Sequence, residues 1–293
     1  MKIITVASTK GGPGKTTVAQ SIATGFDATK ANKVLLLDAD PQGTCIDWIQ
    51  LREAETPLVV AVGSENLASV VQEAREEGFT HVVIDTSPSQ SLLMADTMKM
   101  ADLVVFVANP RVRVLMALPN FRDEFITSKA KGVAVLNFAH PGQASTEAAV
   151  EYLRENFPEI NVCPTVIRHY KIHDDLAAAG MTANELTPTP SQTSENNAKT
   201  DILGVLKGAF IMALKKTGIA AMAAKQKSGG EVKTETEEEP KRTSQKNSKA
   251  GRDIQKSFHV TKEMNRALLL AKADYEMTYD AIINEALELW LAK

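Results

Sequence analysis

Cysteine is almost missing from this chain: among 293 residues there are two, Cys45 and Cys163, far apart and without ligand spacing. That argues against a disulfide framework, a zinc site and a cysteine-held iron–sulfur cluster. Long apolar runs are missing as well. None approaches the ~18 residues of a membrane span, and the chain opens on a strand-like stretch with no hydrophobic leader core, so a cytoplasmic protein is expected. An excess of one charge is the third absence. With 33 Lys and Arg against 36 Asp and Glu, the net charge is −3, so any contact with nucleic acid must come from local patches. What is present in quantity is apolar: 44% of residues, enough for a sizeable core. At ~150 residues per domain the length suggests about two domains.

The most informative stretch is Lys10-Gly11-Gly12-Pro13-Gly14-Lys15-Thr16-Thr17. It follows the apolar run Ile3–Ala7 and precedes a helical pattern with Val18, Ile22 and Ala23 on one face. A strand feeding a glycine-rich turn that opens a helix is the context of a phosphate-binding P-loop. The glycines let backbone N–H groups approach phosphate oxygens, and the helix N-terminus adds partial positive charge. Lys15 can then reach the β- and γ-phosphates, and the Thr16 hydroxyl can ligate Mg²⁺. Two details depart from the general motif: Thr9 stands where the first glycine is usual, and Lys10 is a second lysine. Pro13 has no N–H, so the loop offers one donor fewer.

Up to about residue 218, short apolar runs alternate with helical patterns. The expected strands are Ile3–Ala7, Val34–Leu37, Leu58–Val62, His81–Ile84, Leu103–Val107, Val133–Asn137 and Ile160–Cys163. They are apolar nearly throughout and read as buried on both faces. Helical stretches such as Asn66–Glu77 and Gln143–Asn156 separate them. The series predicts an α/β fold: a parallel sheet with helices on both faces. Ligands of such sheets bind at the carboxyl ends of the strands. The second strand ends in Asp38-Ala39-Asp40-Pro41-Gln42 and the fourth in Asp85-Thr86-Ser87-Pro88. A carboxylate there suits a Mg²⁺-linked group; taken singly, it equally suits a helix cap.

The K-G-G-x-G-K-[ST] loop, with Lys10 five residues before Lys15, resembles the deviant Walker A box of the ParA/MinD superfamily of ATPases. The D-x-D-P-Q-G run at Asp38–Gly43 and the D-[TC]-x-P run at Asp85–Pro88 are similar to ParA partition ATPases. So is Thr165-Val166-Ile167-Arg168 followed by a helix to Gly180. The likeness covers residues 1 to about 217. It implies an ATPase that uses ATP and Mg²⁺, and a homodimer that forms when ATP binds, with Lys10 crossing to the partner's nucleotide. It also implies that Asp40 positions the attacking water, Asp85 is the Walker B aspartate and Asp38 lies near the Mg²⁺ shell. Asn137 and Pro164 are the candidates for adenine contacts.

A closing helix is expected over Asn197–Thr217, with Leu203, Leu206, Phe210, Ile211 and Leu214 inward. By the same resemblance Lys207, Lys215 and Lys216, with Arg168, His169 and Lys171, are candidates for DNA binding without sequence preference. An ordinary solvated helix face is the alternative.

Residues 219–252 lose nearly all large apolar side chains and carry an acidic block, Glu235–Glu239, then a basic one, Lys241–Arg252; they read as a flexible charged linker. Residues 253–293 are patterned again: one alternating strand, Ile254–Val260, then helices capped by Thr261 and Thr278. One strand and two helices are too few to bury a core alone. This module resembles the ribbon-helix-helix fold of the Arc/MetJ type, and ParG in particular. The likeness implies constitutive dimerisation and DNA reading by Gln255, Ser257 and His259, with Thr278 at a phosphate. Dimerisation alone is the alternative, because the ribbon lacks the Arg or Lys best suited to guanine. It also makes Arg242 and Arg252 candidates for a built-in arginine finger.

The expected function is therefore a partition ATPase, nucleoid-associated, segregating plasmid or other cargo over DNA, with a ParB- or ParG-like partner open. The competing readings are a nucleotide-regulated repressor and a MinD-like membrane ATPase. The second is disfavoured by Asp280, Glu285 and Glu288 in the terminal helix, which anionic lipid would repel.

Overall fold

The computed structural model describes residues 1–8, 10–28, 31–88, 91–111, 115, 118–187 and 193–215. The linker and the C-terminal module, with Arg242, Arg252, Gln255, Ser257, His259 and Thr278, lie outside the described residues, as do Thr9 and Lys216.

Seven strands form one sheet: β1 (Lys2–Ala7), β2 (Val34–Ala39), β3 (Leu58–Ala61), β4 (His81–Thr86), β5 (Leu103–Ala108), β6 (Lys131–Leu136) and β7 (Ile160–Val162). All are parallel, in the order β3-β2-β4-β1-β5-β6-β7. This is the α/β parallel sheet expected, and every predicted strand is found, but β3 is not buried on both faces: it is the edge strand, and Leu58 is 49% exposed. The bounds differ where it matters. β2 and β4 run on through Asp38 and Asp85, which face each other in register. Both side chains are fully bonded, and that lets buried strands carry carboxylates.

Helices flank the sheet: α1 (Lys15–Asp27), α2 (Thr44–Leu51), α3 (Leu67–Glu76), α4 (Ser91–Met100), α5 (Arg122–Ser128), α6 (Ala144–Asn156), α7 (Ile172–Ala177) and α8 (Thr193–Lys215). Leu67, Val71 and Ala74 of α3 close over Leu35, Leu37, Val82 and Ile84. Met94 and Met98 of α4, Phe125 of α5 and Leu153 of α6 cover Val104, Phe106, Ala134 and Leu136. Each of these Val, Leu, Ile, Met and Phe side chains contributes about 1.5–3 kcal/mol of burial. On α1, Val18, Ile22 and Phe26 recur at four-residue spacing and are buried. Its Gly25 leaves room for Leu206, whose Cδ1 lies 2.7 Å from where a Cβ would stand.

α8 corrects the sequence reading. It starts four residues before Asn197; Leu206 is buried as expected, beside Ala198, Ile202 and Val205, whereas Leu203 is only half-buried, and the side chains of Phe210, Ile211 and Leu214 lie outside the described residues. The register is set by Asp201, which a hydropathy pattern places on the wet face but which is buried against Arg168. Among the described residues no helix is long and apolar enough to cross a membrane.

Candidate active site

In the strand order β2, β4 and β1 are neighbours, so their carboxyl ends bring three loops together. They enclose a cleft of about 440 Å³. Lys10–Thr16 form one wall, Asp40, Pro41 and Gln42 the second, and Ser87 with Pro88 the third.

The loop divides into an open half and a braced half. At Gly11 and Gly12 an added Cβ would meet nothing within 4 Å, so the backbone there is bare to a phosphate. Gly14, the N-cap of α1, is left-handed at φ 82° and packed tightly. A Cβ there would stand 2.1 Å from the Asn137 amide nitrogen. Asn137 is buried; its Nδ2 donates to the Pro13 carbonyl at 2.7 Å, while its Oδ1 accepts the Phe138 N–H at 2.9 Å. Pro13 thus lacks a donor yet offers the acceptor that ties the loop to the end of β6. Lys10 is exposed at the mouth, its carbonyl accepting the Ser8 hydroxyl at 3.0 Å.

Beneath the loop lies a buried ionic cluster. Lys15 Nζ donates to Asp85 Oδ1 at 2.9 Å and stands 3.9 Å from Asp40 Oδ2. Thr16 Oγ1 donates to Asp85 Oδ2 at 2.7 Å. The Asp85 side chain is 0% exposed, and a charge so placed is sustained by its partners. Burial pushes the Asp85 carboxyl above the usual carboxylate range, while Lys15 and the Thr16 hydroxyl pull it back. Cys45 joins from α2, its Sγ 3.7 Å from Asp85 Oδ2. Burial, then the neighbouring Asp85 and Asp38, push that thiol well above its ordinary range.

The two carboxylates of β2 and its loop do different work. Asp38 Oδ2 accepts the N–H groups of Cys45 and Ile46 at 2.8 and 3.2 Å, and Oδ1 accepts that of Asp40 at 3.1 Å. It therefore anchors the first turn of α2, the helix-capping role that a strand-end Asp also allowed. Asp40 is only half-buried and faces the cleft, with Oδ1 accepting the Gln42 N–H at 3.1 Å. That leaves Oδ2 toward Lys15 and the space in front of it.

Thr17 holds the first turn of α1, its carbonyl accepting the Ser21 hydroxyl at 2.7 Å. Pro164 is exposed and packs on α8, its Cδ 2.9 Å from where a Cβ on Gly208 would stand. Arg168 is bound up in structure: its guanidinium holds Asp201 through two bonds of 2.8 Å, and its N–H adds a third at 3.1 Å. It can face a DNA phosphate only by releasing Asp201. Asp201→Ala is expected to cost about 3 kcal/mol of stability, read as a lower denaturation midpoint by circular dichroism. His169 stands edge-on to Phe138 at 5.0 Å. Lys171 is highly exposed and pairs with Asp175 one turn on; Lys207 is half-buried, and Lys215 ends α8.

Sequence reasoning missed Cys45 and Ser8, and it missed the brace that the Asn137 amide makes to the loop. Cys45 could have been found only from register: Asp38 reaches the second residue of α2, and that residue comes back under Asp85.

The bare Gly11–Gly12 backbone, the buried lysine and the hydroxyl with carboxylates around it are a donor set for a nucleotide phosphate chain with Mg²⁺, a cation that prefers oxygen. A sequence model of the CobQ/CobB/MinD/ParA nucleotide binding domain matches residues 4–270. The "Maintenance of carboxysome distribution protein A" of Gloeobacter kilaueensis is 30% identical over 184 residues, 61% of this chain and 82% of that protein. The "Chromosome partitioning protein ParA" of Caulobacter vibrioides is 30% identical over 146 residues, 36% of this chain and 54% of that one. The septum site-determining protein MinD of Pyrococcus horikoshii, solved with Mg-ADP, shares the fold: TM-score 0.52 at 17% identity, covering 76% of this chain and 99% of that one. The chain belongs to the CobQ/CobB/MinD/ParA nucleotide-binding family and is a P-loop ATPase of the ParA/MinD kind, working with ATP and Mg²⁺.

Proposed function

We propose that this ATPase is a ParA-type positioning protein: ATP pairs two copies, the pair holds DNA without sequence preference, and hydrolysis releases it so that cargo moves over a DNA matrix. The observation that carries the reading is the division of the loop's two lysines. Lys15 is buried on Asp85, whereas Lys10 is exposed at the mouth of the cleft, where a second subunit can be reached. Two similar proteins are named for distributing carboxysomes and for partitioning chromosomes, both positioning tasks. Thr16 and Asp85 would hold Mg²⁺, with Asp38 fixing α2 behind them, and Mg²⁺ supplies charge neutralisation on the phosphates when bound. The bare amides of Gly11 and Gly12 and the ammonium of Lys15 orient the phosphates, while Asp40 holds the attacking water. Lys171, Lys207, Lys215 and Lys216 serve DNA. Residues 253–293 form the ribbon-helix-helix module, joined by a coil of 34 residues spanning ~30 Å. Tethering keeps two ATPase domains at high local concentration and favours their ATP-driven pairing.

The test uses the full chain with Asp40→Ala, which is expected to bind ATP and hydrolyse it at least about 100-fold more slowly. Size-exclusion chromatography with a random duplex should show ATP-dependent co-elution, abolished by adding Lys10→Ala. DNA retention that ignores ATP and survives Lys15→Ala would instead favour the nucleotide-regulated repressor.

A further inference from the structure

Cys45 occupies a place that the phosphate and metal roles do not account for. It is 0% exposed, and it touches both acidic strands of the site at once. Its backbone N–H donates to Asp38 Oδ2 at 2.8 Å, and its Sγ lies 3.7 Å from Asp85 Oδ2, within reach of an S–H···O bond. Asp38, Cys45 and Asp85 each bring a polar atom into a buried group spanning no more than 4.8 Å. Asp38 and Asp85 are register partners on adjacent strands, so their carboxylates repel each other across a short gap. Of these three side chains only the thiol carries a hydrogen to donate.

Asp85 now has three donors: Lys15, Thr16 and Cys45. Two of them have a second duty, since Lys15 serves phosphate and Thr16 serves Mg²⁺. Lys15 must leave the carboxylate to reach phosphate, whereas the Thr16 hydroxyl can bind Mg²⁺ through a lone pair and still donate its hydrogen, so the hydroxyl and the thiol are the donors that stay on Asp85 Oδ2. We propose that Cys45 is a positioning residue for Mg²⁺: beside Thr16, its S–H holds Asp85 Oδ2 in place, so that the carboxylate keeps its orientation toward the metal after Lys15 has turned to the phosphate. This rests on Asp85 facing Mg²⁺. It gives the buried cysteine at the second position of α2 a polar role, where an alanine would favour the helix more but would lose the sulfur's contact with Asp85. A group that orients a metal-facing ligand commonly changes metal affinity by about 10–100-fold when lost. A thiol is a weak donor, so the lower end applies.

The readout is metal binding rather than turnover. Mn²⁺ replaces Mg²⁺, and free Mn²⁺ is followed by electron paramagnetic resonance during titration of the full chain with a non-hydrolysable ATP analogue. Nucleotide affinity without metal is measured in parallel with a fluorescent analogue and excess chelator. Cys45→Ala is expected to weaken Mn²⁺ binding about tenfold and to leave metal-free nucleotide affinity within about twofold. Cys45→Ser, which keeps a donor, is expected to restore Mn²⁺ affinity to within about threefold of wild type. Cys45→Val fills the thiol's space with one methyl more and loses the donor, so it replaces the alanine variant if that one folds poorly. Wild-type Mn²⁺ affinity in Cys45→Ala or Cys45→Val would overturn the proposal. A serine variant as weak as alanine, or an equal loss of metal-free nucleotide binding, would overturn it too. Asp85→Asn separates the underlying assignment: if it binds Mn²⁺ as wild type does, the assignment of Asp85 to the metal fails, whatever the Cys45 variants do.

Discussion

Lys15→Ala is expected to lose ATP turnover by at least about 100-fold and, in the nucleotide-free protein, about 3–5 kcal/mol of unfolding free energy. The second effect separates this site from an exposed phosphate-binding lysine. Lys15 Nζ is 2.9 Å from a carboxylate that is 0% exposed. Removing one member of a buried pair strands the other, and that costs more than the pair itself contributes. Urea denaturation followed by circular dichroism measures the loss. The double variant Lys15→Met with Asp85→Asn should recover most of it, since neither side chain then carries a charge.

The deficit should also depend on pH, and the sign follows from Asp85. Burial already holds its carboxyl above the unfolded-state value, and Lys15 is the largest influence pulling it down. Without Lys15 the folded-state value climbs further. The folded variant then binds a proton that the unfolded chain has released, so its stability falls as pH rises through that window. The gap between wild type and Lys15→Ala should therefore widen from pH 5 to pH 8. A gap that is constant over this range would mean that Asp85 is not the group left unpaired.

The sheet and the main site were legible because both rest on strong local signals. Seven apolar runs specify seven strands, of which the edge strand β3 is half-exposed, and a glycine loop between strand and helix specifies a phosphate cradle. Less legible was everything set by strand order. Asp38 and Asp85 are read separately as strand-end acids, but only the β2–β4 pairing makes them register partners with Cys45 beneath. Asn137 carries no local mark of its bond to Pro13, 124 positions away. Arg168 reads as a basic surface residue because Asp201, 33 positions on, is invisible to a window of neighbours. At α8 the expected Leu206 is buried, but a buried ion pair that hydropathy does not show turns Asp201 inward.

The brace on the loop gives the second large effect. Gly14→Ala is expected to lower stability by about 2–4 kcal/mol and ATP affinity by at least tenfold. The loss has two sources of different kind. One is backbone strain: a φ of 82° suits glycine and costs an L-residue about 1–2 kcal/mol. The other is a collision, since the new methyl would stand 2.1 Å from Asn137 Nδ2 and dislodge the amide from the Pro13 carbonyl. A buried amide deprived of that acceptor costs about 1–3 kcal/mol. A double-mutant cycle with Asn137→Ala distinguishes the two. Asn137→Ala alone removes the brace; in its presence Gly14→Ala meets no amide and retains only the strain. The two changes should therefore be less than additive by about 1 kcal/mol or more, in unfolding free energy and, in parallel, in the affinity of a fluorescent ATP analogue. Simple additivity would mean that strain alone explains the glycine, and that Asn137 supports the loop no more than any other buried neighbour.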